Sequence, residues 1–253
     1  MASITLVQAR CNMTRPFDPI DLLGFDVFGT VVDWRSGVAR ACDPFLRTHG
    51  VKADPFDFAD AWRARYQPAM EAVRSGSRPW AKLEVLNREN LLYVLAQHGV
   101  DADAIPAAAL AELNRCWQRL DPWPDSVPGL MRLKRRFAIA PVSNGSIAGM
   151  LQLARFGGLP WDAILGAEIA HTYKPQPAVY LASCDAAGVQ PAQACMVAAH
   201  NNDLAAARAL GLATIFVRRP TEHGPGQSTD LDAEQDWDMV AGSLVEVADA
   251  LGC

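Results

Sequence analysis

Apolar and polar positions divide the chain into two kinds of pattern. Short apolar runs, each closed by a turn signal, read as buried strands. They are Leu22 to Phe28 ending in Gly29-Thr30, Phe137 to Val142 ending in Ser143-Asn144-Gly145-Ser146, Cys195 to Ala199 ending in His200-Asn201-Asn202-Asp203, and Ala213 to Val217 ending in Arg218-Arg219-Pro220. Between the later runs the apolar residues recur at helical spacing, over Val127–Arg136, Ile147–Phe156, Pro177–Ala187 and Leu204–Leu210. Strands alternating with helices predict an α/β fold with a parallel sheet covered on both faces.

Residues from about Arg35 to Leu120 carry only the helical pattern. Phe56, Trp62, Tyr66, Met70 and Val73 share one face, as do Leu83, Leu86, Leu91, Leu92 and Leu95 further on. Asp121-Pro122-Trp123-Pro124-Asp125 closes this stretch. The predicted organisation is an N-terminal extension over 1–20, a core formed by 21–35 and 121–253, and an inserted helical unit over 36–120.

Composition narrows the partners. Half of the 253 residues are hydrophobic and a fifth are charged, enough for a large core. Lys and Arg number 23 against 28 Asp and Glu, a formal charge of −5, and no basic block occurs. Nucleic acid and anionic membrane surfaces are therefore not expected as partners. No apolar run is long enough to span a bilayer, and the first fifteen residues lack the pattern of a signal peptide. The six cysteines form no CxxC pair, so reduced thiols, mostly in the core, and a cytoplasmic location are expected.

In an open parallel sheet, ligands bind beyond the carboxyl ends of the strands. Polar groups collect at or beside such positions here: Asp26 to Thr30, Ser143-Asn144, Lys174, and His200 to Asp203. Each alone has an ordinary explanation, as a turn residue, a solvated loop lysine or a helix cap at Asp203. Together and in this order they resemble the haloacid dehalogenase superfamily, with motifs Asp26-Val27-Phe28-Gly29-Thr30, Ser143-Asn144-Gly145, Lys174-Pro175 and a final Asp203. The resemblance spans about Leu22 to Val217. It implies a Rossmann-like core, a helical cap and Asp26 as nucleophile.

Two departures separate the chain from the phosphatases of that superfamily. They have a proton-donating Asp two residues after the nucleophile, where this chain has Phe28, and a metal-binding Asp in a Gly-Asp pair that reads Ala198-Ala199 here. A halide leaving group needs neither, because it is a weak base that departs without a proton. In finer detail the sequence resembles the hydrolytic L-2-haloacid dehalogenases, through Ala61-Trp62-Arg63, Ser143-Asn144-Gly145-Ser146, Thr172-Tyr173-Lys174-Pro175 and Val179-Tyr180. Phe28 stands where many of them have Tyr. Ala198 and His200 replace the Ser and Asn of the best-known members, as in a subgroup some of which accept fluoroacetate.

The resemblance implies hydrolysis of short (S)-2-haloalkanoic acids to (R)-2-hydroxy acids through an aspartyl ester, without metal or cofactor, by a possible homodimer. The expected catalytic residues are Asp26, Lys174, Asp203, Arg63, Ser143, Asn144 and His200. Thr30, Phe28, Trp62, Tyr180, Asn144 and Arg63 are expected at the substrate, with Arg63 and Asn144 around the leaving halide and Asp203 at the hydrolytic water. A haloacetate (including fluoroacetate) dehalogenase and a magnesium-dependent phosphatase are the alternatives. His98, His171 and His223, which have no partner spacing, are expected at the surface. Trp123 and Trp161 are expected to serve packing.

Overall fold

The computed structural model describes residues 17–253. Most of the extension expected over 1–20, with Cys11, lies outside the described residues. The end of that stretch is part of the core: Phe17 and Ile20 are buried.

The chain opens with β1 (Leu22–Phe25) and then runs through six helices: α1 (Trp34–Thr48), α2 (Pro55–Ala64), α3 (Tyr66–Arg74), α4 (Leu83–Gln97), α5 (Ala107–Asn114) and α6 (Ser126–Leu133). There follow β2 (Ala138–Ser143), α7 (Ile147–Gly157), β3 (Leu165–Gly166), α8 (Ala167–Ala170), α9 (Pro177–Ala186), β4 (Ala194–Ala198), α10 (Asn201–Arg208), β5 (Ala213–Val217), β6 (Met239–Ala241) and α11 (Leu244–Ala250). The six strands form one sheet in the order β3-β2-β1-β4-β5-β6, and every neighbouring pair is parallel.

Alternation along the strands buries both faces of the sheet, as expected when helices cover each side. Leu23, Phe25, Ile139, Val197 and Ile215 belong to one core cluster, which continues into α6, α7, α11 and the inserted helices. Leu22, Val142, Met196 and Phe216 belong to the other, packed against α9 and α10. The inserted segment is helical as its spacing predicts. Trp62, Tyr66, Met70, Val73, Leu83, Leu86, Leu91 and Leu95 are buried, whereas Phe56 is 41% exposed, in the first turn of α2.

The structure departs from the sequence reading most at β1, at α10 and at the edges of the sheet. β1 stops at Phe25, not Phe28, because the chain turns back: Gly29 takes φ 91°, and the amides of Val31 and Val32 both donate to Val27 O. α10 begins at Asn201 rather than Leu204, so Asp203 lies inside the helix and is no cap. β3 and β6, two and three residues long, carry too little pattern to be read from sequence.

Strand order sets the place of the site. β2 and β3 are added on one side of β1 and β4, β5 and β6 on the other, so the switch point lies between β1 and β4. Asp26 follows β1 and donates its amide to Val197 O, while His200 lies just beyond β4.

Candidate active site

A cavity of about 520 Å³ opens at this switch point, within the range usual for small-molecule sites. Asp26, Phe28, Asn144, Lys174, His200 and Asp203 reach it from the sheet side, and Trp34, Asp60, Arg63, Tyr66 and Gln67 from the inserted helices.

Asp26 is the centre. Its Oδ1 accepts from Lys174 Nζ at 2.8 Å; its Oδ2 accepts from Thr30 Oγ1 at 2.8 Å and faces His200 Nδ1 at 3.0 Å. Burial by itself would raise the carboxyl pKa, but Lys174 and His200 outweigh it and hold the group well below the ordinary carboxylate range. Asp26 is thus an ionised carboxylate in a largely dry setting.

Lys174 Nζ also donates to Asp203 Oδ2 at 2.5 Å, so one ammonium bridges two buried carboxylates. Burial disfavours its charge, yet Asp203 and Asp26 together push its pKa up. The second oxygen of Asp203 accepts from Tyr180 OH at 2.5 Å. Burial and the nearby Asp26 charge raise Asp203 above the usual range despite Lys174.

His200 stands between two acids, its Nε2 being 2.9 Å from Glu222 Oε2. Burial lowers its pKa, but Glu222 and Asp26 win and raise it well above 6.5. Glu222 accepts from Trp34 Nε1 at 3.0 Å and is lowered, its burial outweighed by His200.

Arg63 lies across the cavity on α2. Its guanidinium stacks 3.9 Å from the Tyr66 ring centroid and 5.3 Å from that of Trp34. Its Nη1 is buried without a hydrogen-bond partner among the described residues. A buried, unsatisfied cationic donor on a residue that lines a cavity is a candidate site for an anion. Asn144 Oδ1 accepts from the Lys174 amide at 2.8 Å, which leaves the amide NH2 as the end that can serve a ligand.

Four residues expected at substrate or in catalysis are not on the cavity wall. Thr30 is fully buried and spans Asp26 Oδ2 and the Ala199 amide. Ser143 is fully buried and caps the Gly145 amide. Tyr180 is spent on Asp203. Trp62 packs among the inserted helices, its indole N–H donating to Asn87 O at 2.8 Å. The polar atom of each already has a hydrogen-bond partner inside the protein.

Sequence reasoning missed Glu222 and Trp34, and placed His223 at the surface. His223 is indeed exposed, to 38% in its side chain, but it also lines the cavity, with its Nε2 3.5 Å from Glu222 Oε1. The position of Glu222, beyond the carboxyl end of β5, was the available signal.

The acids present also bear on a metal. Asp26 and Asp203 are the two carboxylates that a divalent cation could share, and the third acidic ligand is absent at Ala198-Ala199. These residues do not fit a magnesium site.

An ionised carboxylate, a bridging lysine and a final Asp thus meet at the carboxyl ends of a parallel sheet. The chain matches the family model for haloacid dehalogenase-like hydrolases over residues 20–211, and it belongs to that family. A solved structure of the defluorinating L-2-haloacid dehalogenase Rha0230 superposes with a TM-score of 0.91 at 45% identity, covering 92% of this chain and 96% of that one. (S)-2-haloacid dehalogenase 4A of Burkholderia cepacia is 26% identical over 239 residues, 88% of this chain and 96% of the relative. A phosphoglycolate phosphatase of Psychrobacter arcticus is 28% identical over 204 residues, 77% of this chain and 81% of the relative. Among the described residues no helix is long and apolar enough to cross a membrane.

Proposed function

We propose that this hydrolase displaces halide from short (S)-2-haloalkanoic acids without a metal, giving (R)-2-hydroxy acids through an ester on Asp26. The observation that carries the reading is the pairing, in one cavity, of an ionised Asp26 with the unsatisfied Nη1 of Arg63. One group can attack carbon and the other can receive the departing anion.

In the first half-reaction Asp26 attacks Cα from the face opposite the halogen, inverting the centre. Arg63 and the Asn144 NH2 stabilise the leaving halide, so the helical cap must be closed over the core. Arg74 on α3 donates to Lys174 O at 2.9 Å, which ties that cap to the catalytic loop. Phe28 supplies an apolar wall and no proton. In the second half-reaction water attacks Cγ of Asp26 and releases the hydroxy acid. Both oxygens of Asp203 are occupied, so we assign it to holding Lys174 rather than to the water. His200 is the remaining titratable side chain that faces Asp26.

Haloacetates, fluoroacetate among them, are the second reading, favoured by the same anion-seeking donor and by the likeness to a defluorinating relative. The phosphatase reading is opposed by Phe28 and by Ala198-Ala199, which stand where the phosphatases have a proton donor and a metal-binding acid. One assay separates the three: (S)-2-chloropropionate, chloroacetate and fluoroacetate with a chelator present, and p-nitrophenyl phosphate with magnesium. The proposal expects halide in the presence of chelator, and phosphate release only with magnesium would overturn it.

A further inference from the structure

The segment between β5 and β6 contains no helix or strand, yet it carries one of the most buried acids among the described residues, Glu222, which is 1% exposed. The segment is anchored at its start. Arg219 donates from Nε to Thr30 O at 2.9 Å and from Nη1 and Nη2 to the two oxygens of Asp125 at 2.8 Å each. The Glu222 carboxylate then lies over Gly29, where any Cβ would collide with it. Burying an acid is costly unless it is paired, and here the partners are the Trp34 indole and His200.

His200 is held by carboxylates at both ring nitrogens, Nδ1 by Asp26 and Nε2 by Glu222. A neutral imidazole can donate to only one of them; the imidazolium donates to both. Lys174 and Asp203 stand behind Asp26, and Arg63 and His223 face Glu222. Esterification removes one of the two carboxylates from this arrangement and leaves the other.

Resting on the dehalogenase reading, we propose that Glu222 is a positioning residue that makes His200 the proton carrier of the cycle: the ring is charged while Asp26 is free, discharges once Asp26 is an ester, and then accepts a proton from the attacking water.

The steps balance. A lone pair of Asp26 forms the O–Cα bond as the carbon–halogen bond breaks and its electron pair leaves with the halide. Asp26 is now neutral, and His200, whose side chain is 18% exposed and lines the cavity, gives its Nδ1 proton to solvent. Glu222 keeps the proton on Nε2, leaving Nδ1 as an acceptor, in the manner of a carboxylate that orients a catalytic histidine. Water adds to Cγ and passes one proton to Nδ1. Collapse breaks the Cγ–O bond to the substrate oxygen, which takes the second water proton. The enzyme returns to a carboxylate beside an imidazolium, and the one proton that halide hydrolysis produces has already left. Burial disfavours the imidazolium, while Glu222 and Asp26 oppose burial. Loss of the Asp26 charge therefore tips the ring toward neutral.

Timing tests this. In a single turnover of (S)-2-chloropropionate in weak buffer near pH 7.5, an indicator dye reports protons while quenched samples report chloride and lactate. The proton is expected with the chloride phase, before lactate. A proton that appears only with lactate overturns the proposal. Glu222→Gln is expected to slow lactate formation about tenfold more than chloride release, and the Asp26 ester should accumulate in the intact mass. Glu222→Asp should recover part of the loss. Equal slowing of both phases by Glu222→Gln, with no accumulated ester, also overturns it. If the parent releases no halide from any haloacid, the dehalogenase reading falls and takes this proposal with it.

Discussion

Replacing Lys174 with Met keeps the volume of the side chain and removes its charge. In the parent the ammonium lies 2.8 Å from Asp26 Oδ1 and 2.5 Å from Asp203 Oδ2, with no side chain of the three more than 10% exposed. Breaking a buried pair by deleting one partner costs about 3–5 kcal/mol. Protonating one carboxyl limits that cost, and Asp203 is the one to take the proton, because burial and Asp26 already push its pKa up. In Lys174→Met it rises further above its unfolded value near ~3.9. An acid raised in the folded state destabilises that state above the unfolded pKa, and the penalty grows with pH until the folded pKa is reached. Each unit is worth about 1.4 kcal/mol, so the loss should grow by roughly 1–3 kcal/mol between about pH 5 and about pH 8. Urea denaturation of parent and variant at both pH values measures it. Halide release should fall by about two orders of magnitude or more, since the nucleophile loses its cation. A penalty independent of pH, or turnover near the parental rate, would refute the electrostatic account of this triad.

Other changes separate binding from support. Trp62→Phe removes the N–H that serves Asn87 O and should cost about 1 kcal/mol in denaturant stability with KM within about twofold of the parent, because Trp62 does not reach the cavity. Arg63→Lys loses the planar stack on Tyr66 and the fixed donor Nη1, and should lower kcat by about tenfold or more at nearly unchanged stability, read by halide release and thermal melting. His200, whose pKa is raised in the fold, contributes stability below its unfolded value near ~6.5 that is lost as pH rises through the higher folded value. Asp26 behaves oppositely, its contribution disappearing as pH falls. Denaturation of parent and His200→Asn across pH should therefore show the alkaline loss in the parent alone.

The sheet and most of the residues that meet at its cavity were legible because the four longer strands are apolar runs that stop abruptly at polar clusters. Asp26, Asn144, Lys174, His200 and Asp203 meet at one cavity because those ends lie side by side around β1 and β4. Direction was less legible. Thr30, Tyr180 and Trp62 have the right chemistry for substrate contact, but each spends its polar atom inside the protein, which spacing does not reveal. Glu222 lies in an irregular segment with no period, and its role depends on Arg219, Asp125 and a bare Gly29 drawn together from distant parts of the chain. The edge strands β3 and β6 were too short for any pattern to register.

The central claim is that Asp26 itself bonds to substrate carbon and surrenders an oxygen to the product. A single turnover in heavy-oxygen water, with enzyme in excess over (S)-2-chloropropionate, tests it most directly. The account predicts unlabelled lactate and one heavy oxygen retained on Asp26; labelled lactate with an unlabelled Asp26 would contradict it.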